Sequence, residues 1–419
     1  GSRGLGDVYK RQVVGLHRIA RHERQLHLLV HGEGCPVKAL IMWKRLFNVA
    51  LMPFPDVGSV VAHFFQNLGN CHLFGSKAFT HQGKRYPAGT LIFDVLNNPD
   101  NLDEAITQLA KSTGADVFPV DNSWVTDGPN FGSGKVVRFN LPKVAIAWDE
   151  PTSSYSAGNT RFVIERQFDL PVTAIRTSHL AKADLDRYQV LILPQSGRFN
   201  DYSAALGKKG TENLKDWVAE GGVLIGLGNA NRYLADPEID LLSIRREDAV
   251  NESTDEPAGK TPGKGKDGDT PKEKTVKGSY LTDVAAYENA ITPVKEEPDS
   301  VGGVLVKAAV DSDHWLGAGV SPSLNVLVRG PDIYTPAKMD KAMNVAVFNA
   351  ADDLLASGYL WEQNRKQLAY KPFAVAQPSG KGYVIAFTQD PNVRAYLDGL
   401  NVIFMNAILR GSAHARPIR

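Results

Sequence analysis

The feature that most constrains this chain is an alternation of short apolar runs and helical stretches over residues 141–237. Consecutive hydrophobic positions are typical of strands buried on both faces of a parallel sheet. The predicted strands are Val144 to Trp148, Val172 to Ile175, Gln189 to Leu193 and Val223 to Ile225. The predicted helices between them are Thr160 to Phe168, the region around Asp184, and Thr211 to Glu220. Strands that alternate with helices predict an α/β class, with a doubly wound, mostly parallel sheet.

Segments on either side extend this pattern. Leu91 to Leu96 is predicted to be a strand, and Asn101 with Glu104 forms a capping box that begins a helix. We therefore expect a small β-α linker unit over residues 76–140. Tyr383 to Phe387 is a predicted strand, and an amphipathic helix follows it. The main domain is expected to span residues 141–411, with a frayed tail at 412–419.

Residues 245–278 interrupt the domain. They mix Asp and Glu with Lys among Pro, Gly, Thr and Ser, and carry almost no apolar side chains. Such a segment cannot bury enough surface to fold, so we interpret it as a solvated, disordered insertion. A role as a charged docking loop is the alternative.

The amino-terminal part is irregular. Residues 1–12 resemble a translated sequencing-adapter remnant of the kind found in metagenomic reading frames, which would make the chain a fragment. Residues 13–75 hold six of the ten histidines and both cysteines. Three interpretations stay open for this segment: a divergent domain edge, an out-of-frame translation, or a histidine metal site. His27 and His31 are four apart, but Leu28 stands where a zincin has Glu. No histidine here has Glu three residues on, so no metal ligands are assigned.

Composition excludes some classes of function. The net charge is +1, from 47 basic and 46 acidic residues, which argues against a protein that neutralises nucleic-acid phosphates. A membrane-spanning helix needs about 18 consecutive apolar residues, and the sequence contains no such run. Two cysteines allow at most one disulfide bridge.

Polar residues follow the predicted strands and form the candidate site. Ligands of open α/β sheets bind at the carboxyl ends of the strands. The candidate ligand-binding residues are Asp149, Glu150, Tyr155, Arg161, Asn229, Arg232, Asp390, Asn392 and Arg394. Arg161 and Arg394 suit a carboxylate, which Arg can bind with two hydrogen bonds. The alternative is structural: Arg161 pairs with Glu165 along the helix, and Arg394 caps or pairs with the loop that Asp390 begins. Single histidines His179 and His314 are expected to be solvated.

Several stretches carry a resemblance to a known family. They are Tyr86-Pro87-Ala88-Gly89, Ala147-Trp148-Asp149-Glu150-Pro151, Tyr155-Ser156-Ala157-Gly158, Arg161 to Arg166, Ser357-Gly358-Tyr359-Leu360, and Asp390-Pro391-Asn392 with Arg394. Over residues 76–411 the chain resembles the carboxy-terminal region of zinc carboxypeptidase-like proteins of carboxypeptidase A type. That region is similar in fold to class I glutamine amidotransferases, a flavodoxin-like type of sheet.

The resemblance implies that zinc belongs to a peptidase domain upstream, which becomes the expected partner, and that this chain holds no cofactor. It implies a secreted or periplasmic parent, although the compartment of this chain is unknown. An amidotransferase needs a Cys nucleophile on the turn after a strand and a His partner. Gly228 occupies the expected nucleophile position, and no histidine lies near Asp390. Gly226 and Gly228 alone are too weak a pattern for a dinucleotide site.

Whether the chain is an enzyme stays open. We expect a non-catalytic accessory region that docks on the peptidase domain or binds a peptide or glycan group in the strand-end crevice. The alternatives are an autonomous hydrolase that uses the carboxylates of Asp149, Glu150 and Asp390, or a purely structural spacer.

Overall fold

The computed structural model describes residues 49–52, 72–75, 77–94, 98, 100–113, 116–197, 202–250, 284 and 297–415. These residues belong to one compact unit, residues 49–419. The predicted adapter remnant, most of residues 13–75, and residues 251–278 of the predicted insertion lie outside the described residues.

Two small antiparallel sheets form the first part of the fold. Their strands are β1 (Val49–Met52), β2 (His72–Gly75), β3 (Phe79–His81), β4 (Lys84–Tyr86), β5 (Leu91–Asp94), β6 (Phe118–Val120), β7 (Val125–Asp127) and β8 (Val136–Phe139). One sheet has the order β6-β1-β5-β2-β8 and the other β4-β3-β7. The predicted strand and helix are present as β5 and α1 (Leu102–Thr113). The expected β-α unit is thus part of a larger β-rich region, whose three- and four-residue strands are too short to leave a clear sequence pattern.

A ten-stranded sheet forms the main domain. Its strands are β9 (Val144–Trp148), β10 (Val172–Arg176), β11 (Val190–Leu193), β12 (Val223–Leu227), β13 (Val301–Val310), β14 (Ser323–Gly330), β15 (Met343–Phe348), β16 (Leu355–Ser357), β17 (Pro372–Ser379) and β18 (Gly382–Phe387). The order β10-β9-β11-β12-β18 is parallel throughout. This flavodoxin-like order confirms the predicted fold class and matches an amidotransferase-like domain.

Helices cover both faces of the parallel half. They are α2 (Ser154–Phe162), α3 (Thr177–Leu180), α4 (Tyr202–Glu220), α5 (Asn231–Leu234) and α7 (Asp398–His414). A further helix, α6 (Glu362–Leu368), lies between β16 and β17 in the other half of the sheet. Val144 and Ile146 belong to the core cluster that includes residues of α7, whereas Ala145 and Ala147 belong to the cluster that includes residues of α4. Successive strand residues point to opposite faces, so both faces must be apolar. This explains the continuous hydrophobic runs in the sequence.

Helix α4 begins nine residues before the predicted start, because a second helical segment precedes the predicted one across a break at Gly207. Gly207 has φ of +56° and separates two helical segments, of which the sequence pattern identified only the one from Thr211. The predicted helix from Thr160 begins earlier, at Ser154, and ends in a π-helical turn, Val163–Gln167.

The antiparallel half of the sheet was not predicted. Strands β17, β15, β13 and β14 continue the sheet beyond β18, and β16 pairs with β13. Buried and exposed residues alternate along β14 and most of β13, so these two strands lack the continuous apolar runs that identify the parallel strands. Strand β17 does have such a buried run, Pro372 to Ala376, which was not predicted. This half gives the sheet ten strands in place of five.

The prediction of a frayed carboxyl terminus from residue 412 is wrong for residues 412–414. Helix α7 continues to His414, and Gly411 is buried against Ile385 and Val223, where an added Cβ would lie 3.3 Å from each side chain. The helix therefore packs on the sheet through its last turn, and residues 412–414 belong to the fold.

One buried arginine joins the small sheets to the main domain. Arg410 donates to the Gly89 carbonyl at 3.2 Å and to Asn406 at 2.9 Å. Burial lowers the pKa of Arg410 to about 9. Gly89 has φ of +83°, and an added Cβ would lie 2.7 Å from Arg410 Nη2. This position therefore requires glycine, which accounts for the last residue of the Tyr86 to Gly89 motif.

The start of the predicted insertion is held by ordered contacts. Arg246 pairs with Asp332 at 2.7 Å and with Glu297 at 2.6 Å, and Glu247 pairs with Lys371 at 2.5 Å. Residues 245–247 thus belong to the domain, and the insertion stands as a prediction only for later residues. The Arg246–Glu297 pair brings the two ends of the intervening segment together.

Candidate functional site

The carboxyl ends of β9, β12 and β18 carry most of the predicted site residues. Asp149 and Glu150 follow β9, Asn229 follows β12, and Asp390 begins the loop after β18. Helix α2 packs against the turn Val393–Ala395, which brings the element of Tyr155 and Arg161 beside that of Arg394. The structure divides these residues into a buried network and an exposed rim.

Asp390 is the centre of the buried network. The Ser156 hydroxyl donates to Asp390 Oδ2 at 2.5 Å and accepts from the Gln195 backbone N–H at 3.0 Å. Asp390 Oδ1 accepts from the Asn392 backbone N–H at 2.9 Å. Burial raises the pKa of Asp390, and these hydrogen bonds oppose the shift. A carboxyl group held this way ties α2 to the loop after β18 and does not face solvent.

Asn392 extends the network to the next turn of α2. Its side chain is fully buried and donates to Thr160 Oγ1 at 3.2 Å. Sequence reasoning included Asp390 and Asn392 but missed their partners Ser156 and Thr160. The only sequence signal for Ser156 was its place in the Tyr155 to Gly158 motif.

The turn after β12 has the shape of a nucleophile elbow without a nucleophile. Gly228 has φ of +53°, a conformation that favours glycine. A Cβ added at Gly228 would lie 2.6 Å from Gln195 Cγ and 2.7 Å from Gln195 Cδ. The Gln195 side chain therefore fills the space into which a residue at this position would project.

Two asparagines hold this turn in place. Asn229 accepts from the Ser196 backbone N–H at 2.8 Å and donates to the Ser196 carbonyl at 3.2 Å. Asn231, which the sequence analysis did not select, donates to the carbonyls of Gly228 at 3.0 Å and Phe387 at 2.8 Å. Both side chains are occupied by backbone groups, so they position the turn.

The exposed rim is formed by Asp149, Glu150 and Tyr155. Asp149 has φ of +69° and pairs with Arg176 at 3.4 Å, with both side chains well exposed. Tyr155 is 84% exposed on the first turn of α2. The carbonyl of Glu150 accepts a hydrogen bond from Thr177, which anchors the loop while the Glu150 side chain stays exposed.

The two arginines selected for carboxylate binding are in different states. Arg161 pairs with Glu165 at 2.8 Å along the helix, and its guanidinium lies 5.6 Å from the centre of the Trp148 ring. The hydrogen bond that Arg161 donates to Glu165 raises the pKa of Arg161. Arg394 is exposed, has φ of +53°, and makes no ion pair with any residue that the structure describes. Arg161 therefore fits the ion-pair alternative, whereas Arg394 is available to a ligand.

Arg232 does not join the rim. It donates from Nε to both oxygens of Asp332 at 2.9 Å, and Asp332 is only 8% exposed. Arg246 contacts the same carboxylate, so Asp332 is shared by two arginines. Arg232 thus links α5 to the antiparallel half of the sheet.

The histidines of the described region form no metal site. Among the described residues there is no cluster of three His, Cys, Asp or Glu side chains that could hold a metal ion. His179 is exposed, as expected. His314 is not: it packs on Trp315 with ring centres 4.9 Å apart, and burial lowers the pKa of His314 to about 4. The expectation that His314 is solvated is wrong because the loop after β13 folds against α7.

Comparisons with known proteins give similarity in structure only. No family model and no curated protein matches the chain. A ThuA-like protein from Parabacteroides merdae is 11% identical, with a TM-score of 0.41 over 66% of this chain and 91% of that one. A glutamine amidotransferase from Thermotoga maritima is 9% identical, with a TM-score of 0.38 over 65% of this chain and 99% of that one. The fold assignment stands on the strand order and register described above.

No helix within the described part of the chain is long and apolar enough to cross a membrane.

Proposed function

We propose that this chain is a non-catalytic, amidotransferase-like accessory region of a zinc carboxypeptidase-like protein. In this proposal its strand-end rim binds the carboxylate of a peptide, either a ligand or a segment of the upstream peptidase domain. Arg394 is the residue that grips the carboxylate, with Tyr155 packing beside it.

The observation that carries the proposal is the closed elbow. The Gln195 side chain occupies the space beside Gly228, where an amidotransferase places its nucleophile. A thiol there would need both a new side chain and the displacement of Gln195. Binding is therefore favoured over acyl transfer at this edge of the sheet.

The carboxylates also favour binding over hydrolysis. A hydrolase that used these carboxyl groups as its acid and base would need them to face one substrate. Asp390 is 4% exposed and is held by Ser156, whereas Asp149 and Glu150 are exposed on the rim. The three groups do not share one accessible surface, which weighs against the alternative of an autonomous hydrolase.

The proposal differs from a structural spacer in what it expects of Arg394. An exposed guanidinium without an ion pair contributes little to folding, but it can make two charge-assisted hydrogen bonds to a carboxylate. If the chain were only a structural spacer, replacing Arg394 would have no effect on peptide binding.

Titration calorimetry with a short peptide and its carboxy-amidated form tests the proposal. We expect the free acid to bind better, and Arg394→Ala to weaken its binding by about 1.5 to 3 kcal/mol. Arg161→Ala is the matched control, because its ion pair with Glu165 makes it structural: it should lower the melting temperature slightly and leave binding unchanged. Equal binding of both peptides, or no effect of Arg394→Ala, would contradict the proposal.

The parentage has its own test. Sequencing of the reading frame upstream of this chain should reveal His-x-x-Glu and a later histidine, which are the zinc ligands expected of the peptidase domain. Metal analysis of the chain alone should find no stoichiometric zinc. One tightly held zinc ion per chain would overturn the assignment of the metal to the upstream domain.

A further inference from the structure

Two large aromatic side chains stand exposed beside each other between β16 and α6. Tyr359 is 70% exposed and Trp361 is 49% exposed. Their ring centres are 5.0 Å apart and the ring planes are nearly perpendicular, at 88°. Side chains of this size are usually buried for most of their area. This pair lies in the antiparallel half of the sheet and plays no part in the strand-end site.

The backbone holds both rings in place. Leu360, between them, is 4% exposed and belongs to the main core cluster. Gly358 has φ of +101°, and an added Cβ would lie 3.3 Å from Val304. The carbonyl of Trp361 accepts the backbone N–H of Arg365 at 2.9 Å, which begins α6. A ligand would therefore meet a loop whose backbone is already fixed, which reduces the entropy lost on binding.

Two glycines of β13 lie beside the aromatic loop. Gly302 and Gly303 are exposed in β13, and no atom lies within 4 Å of the position that a Cβ on Gly302 would take. The Gly303 carbonyl lies 3.7 Å from the corresponding position on Gly358, so this strip adjoins the aromatic loop. Neither the Tyr359 hydroxyl nor the Trp361 indole N–H has a hydrogen-bond partner among the described residues. Ring faces and open hydrogen-bonding groups thus lie together.

The size of the patch argues against a protein partner. A fully buried aromatic side chain covers about 150 to 250 Å², whereas a stable protein interface needs about 800 Å² per partner. Two partly exposed rings fall well short of that area. A small ligand with an apolar face and a polar rim fits the surface better.

The charges beside the rings favour a neutral ligand. Glu362 and Lys366, on the exposed side of α6, pair with each other at 3.1 Å. The two charges of this pair offset each other. Arg329 adds one exposed cation, with its Cγ 3.8 Å from the position of a Cβ on Gly303, and one exposed charge is too weak a field to select an ionic ligand. A pyranose ring has this chemistry, because its C–H face stacks on an aromatic ring while its hydroxyls form hydrogen bonds. We infer that Tyr359 and Trp361 bind a sugar unit of a neutral polysaccharide.

Affinity electrophoresis in gels that contain hydroxyethyl cellulose, xylan or galactomannan tests this inference. We expect at least one of these polysaccharides to retard the wild-type protein, and Trp361→Ala to weaken that retardation about tenfold. Tyr359→Ala should weaken it less, because Trp361 offers the larger ring. Trp124→Ala removes a tryptophan that is 75% exposed in the small-sheet region, and it should migrate as wild type does. Arg394→Ala should also leave the retardation unchanged, which separates this site from the strand-end rim.

Three results would overturn the inference. They are no retardation by any of the three polysaccharides, equal retardation of wild type and Trp361→Ala, and self-association of the wild type that Trp361→Ala abolishes. Melting curves of each variant identify any that fail to fold, and Tyr359→Ala decides the question if Trp361→Ala is one of them.

Discussion

The parallel and antiparallel halves of the ten-stranded sheet bury their side chains in different ways. Every residue of β11 and β12 is buried, because helices cover both faces of the parallel half. Strand β14 alternates, with buried Leu324, Val326 and Val328 between more exposed residues. The parallel half therefore has its polar residues at the strand ends, whereas the antiparallel half presents its own on an open face. The two proposed binding surfaces follow this division.

A matched pair of leucine truncations should show the largest difference between the halves. Leu191 lies in β11 and is fully buried, whereas Leu327 lies in β14 and is half-buried. Leu191→Ala should lower the free energy of unfolding by about 2 to 5 kcal/mol, because it leaves a cavity in a covered core. Leu327→Ala should cost less than about 1 kcal/mol, since the side chain is only partly removed from water. Urea denaturation measures both, and equal losses would break the distinction.

Acid should weaken the molecule where the loop after β13 packs against the end of α7. His314 and His414 both pack against Trp315, and burial lowers the pKa of each histidine to about 4. The unfolded chain binds protons near pH 6.5, so stability is complete above that value and is lost as the pH falls towards 4. At pH 5 the loss should reach about 2 kcal/mol per histidine.

Unfolding curves between pH 7 and pH 4.5 measure this effect. A double variant, His314→Asn with His414→Gln, should show a flatter pH dependence than wild type. His179→Asn, which changes an exposed histidine of the parallel half, should not. The same pH dependence in all three proteins would contradict the assignment.

Removing the buried carboxyl of Asp390 should lower the free energy of unfolding by less than a core truncation does, but by more than removing a carboxyl of the exposed rim. Asp390→Ala leaves the Ser156 hydroxyl and the Asn392 N–H without their acceptor, and should cost about 1 to 3 kcal/mol. Asp149→Ala, which breaks the exposed pair with Arg176, should cost less than about 0.5 kcal/mol. Chemical denaturation of both variants compares them. An Asp149 variant as unstable as the Asp390 variant would mean that the rim, too, is structural.

The smallest effect is expected where the chain passes from the parallel to the antiparallel half. Replacing residues 249–278 by a short Gly-Ser linker should change stability by about 1 kcal/mol or less, because they carry almost no apolar side chains and a shorter loop changes the closure entropy only slightly. Limited proteolysis of wild type should cut first within residues 251–278. Strong protection there, or unfolding on deletion, would mean that this segment contributes to a core.

The sequence predicted the parallel half well for a physical reason. Strands covered on both faces must be apolar at every position, so Val144 to Trp148 and Val223 to Ile225 are visible without any knowledge of their neighbours. Strands β13 and β14 alternate over residues that include Gly, Ser and Lys, and that pattern is weak in a single sequence. Strand β17 has a continuous buried run and was missed all the same. The strand-end location of most candidate residues followed from the same strand pattern.

What each candidate residue contacts was decided only by the tertiary structure. Ser156 and Asp390 are 234 positions apart, and no local pattern connects them. Arg161 and Arg394 both lie near the strand ends. Arg161 pairs with Glu165 along its helix, whereas Arg394 is exposed and makes no ion pair with a described residue. Gly228 could be recognised as lacking a nucleophile, but Gln195 fills the adjacent space only because β11 and β12 are neighbours. Sequence sets which segments can be buried, whereas long-range packing sets which polar groups meet.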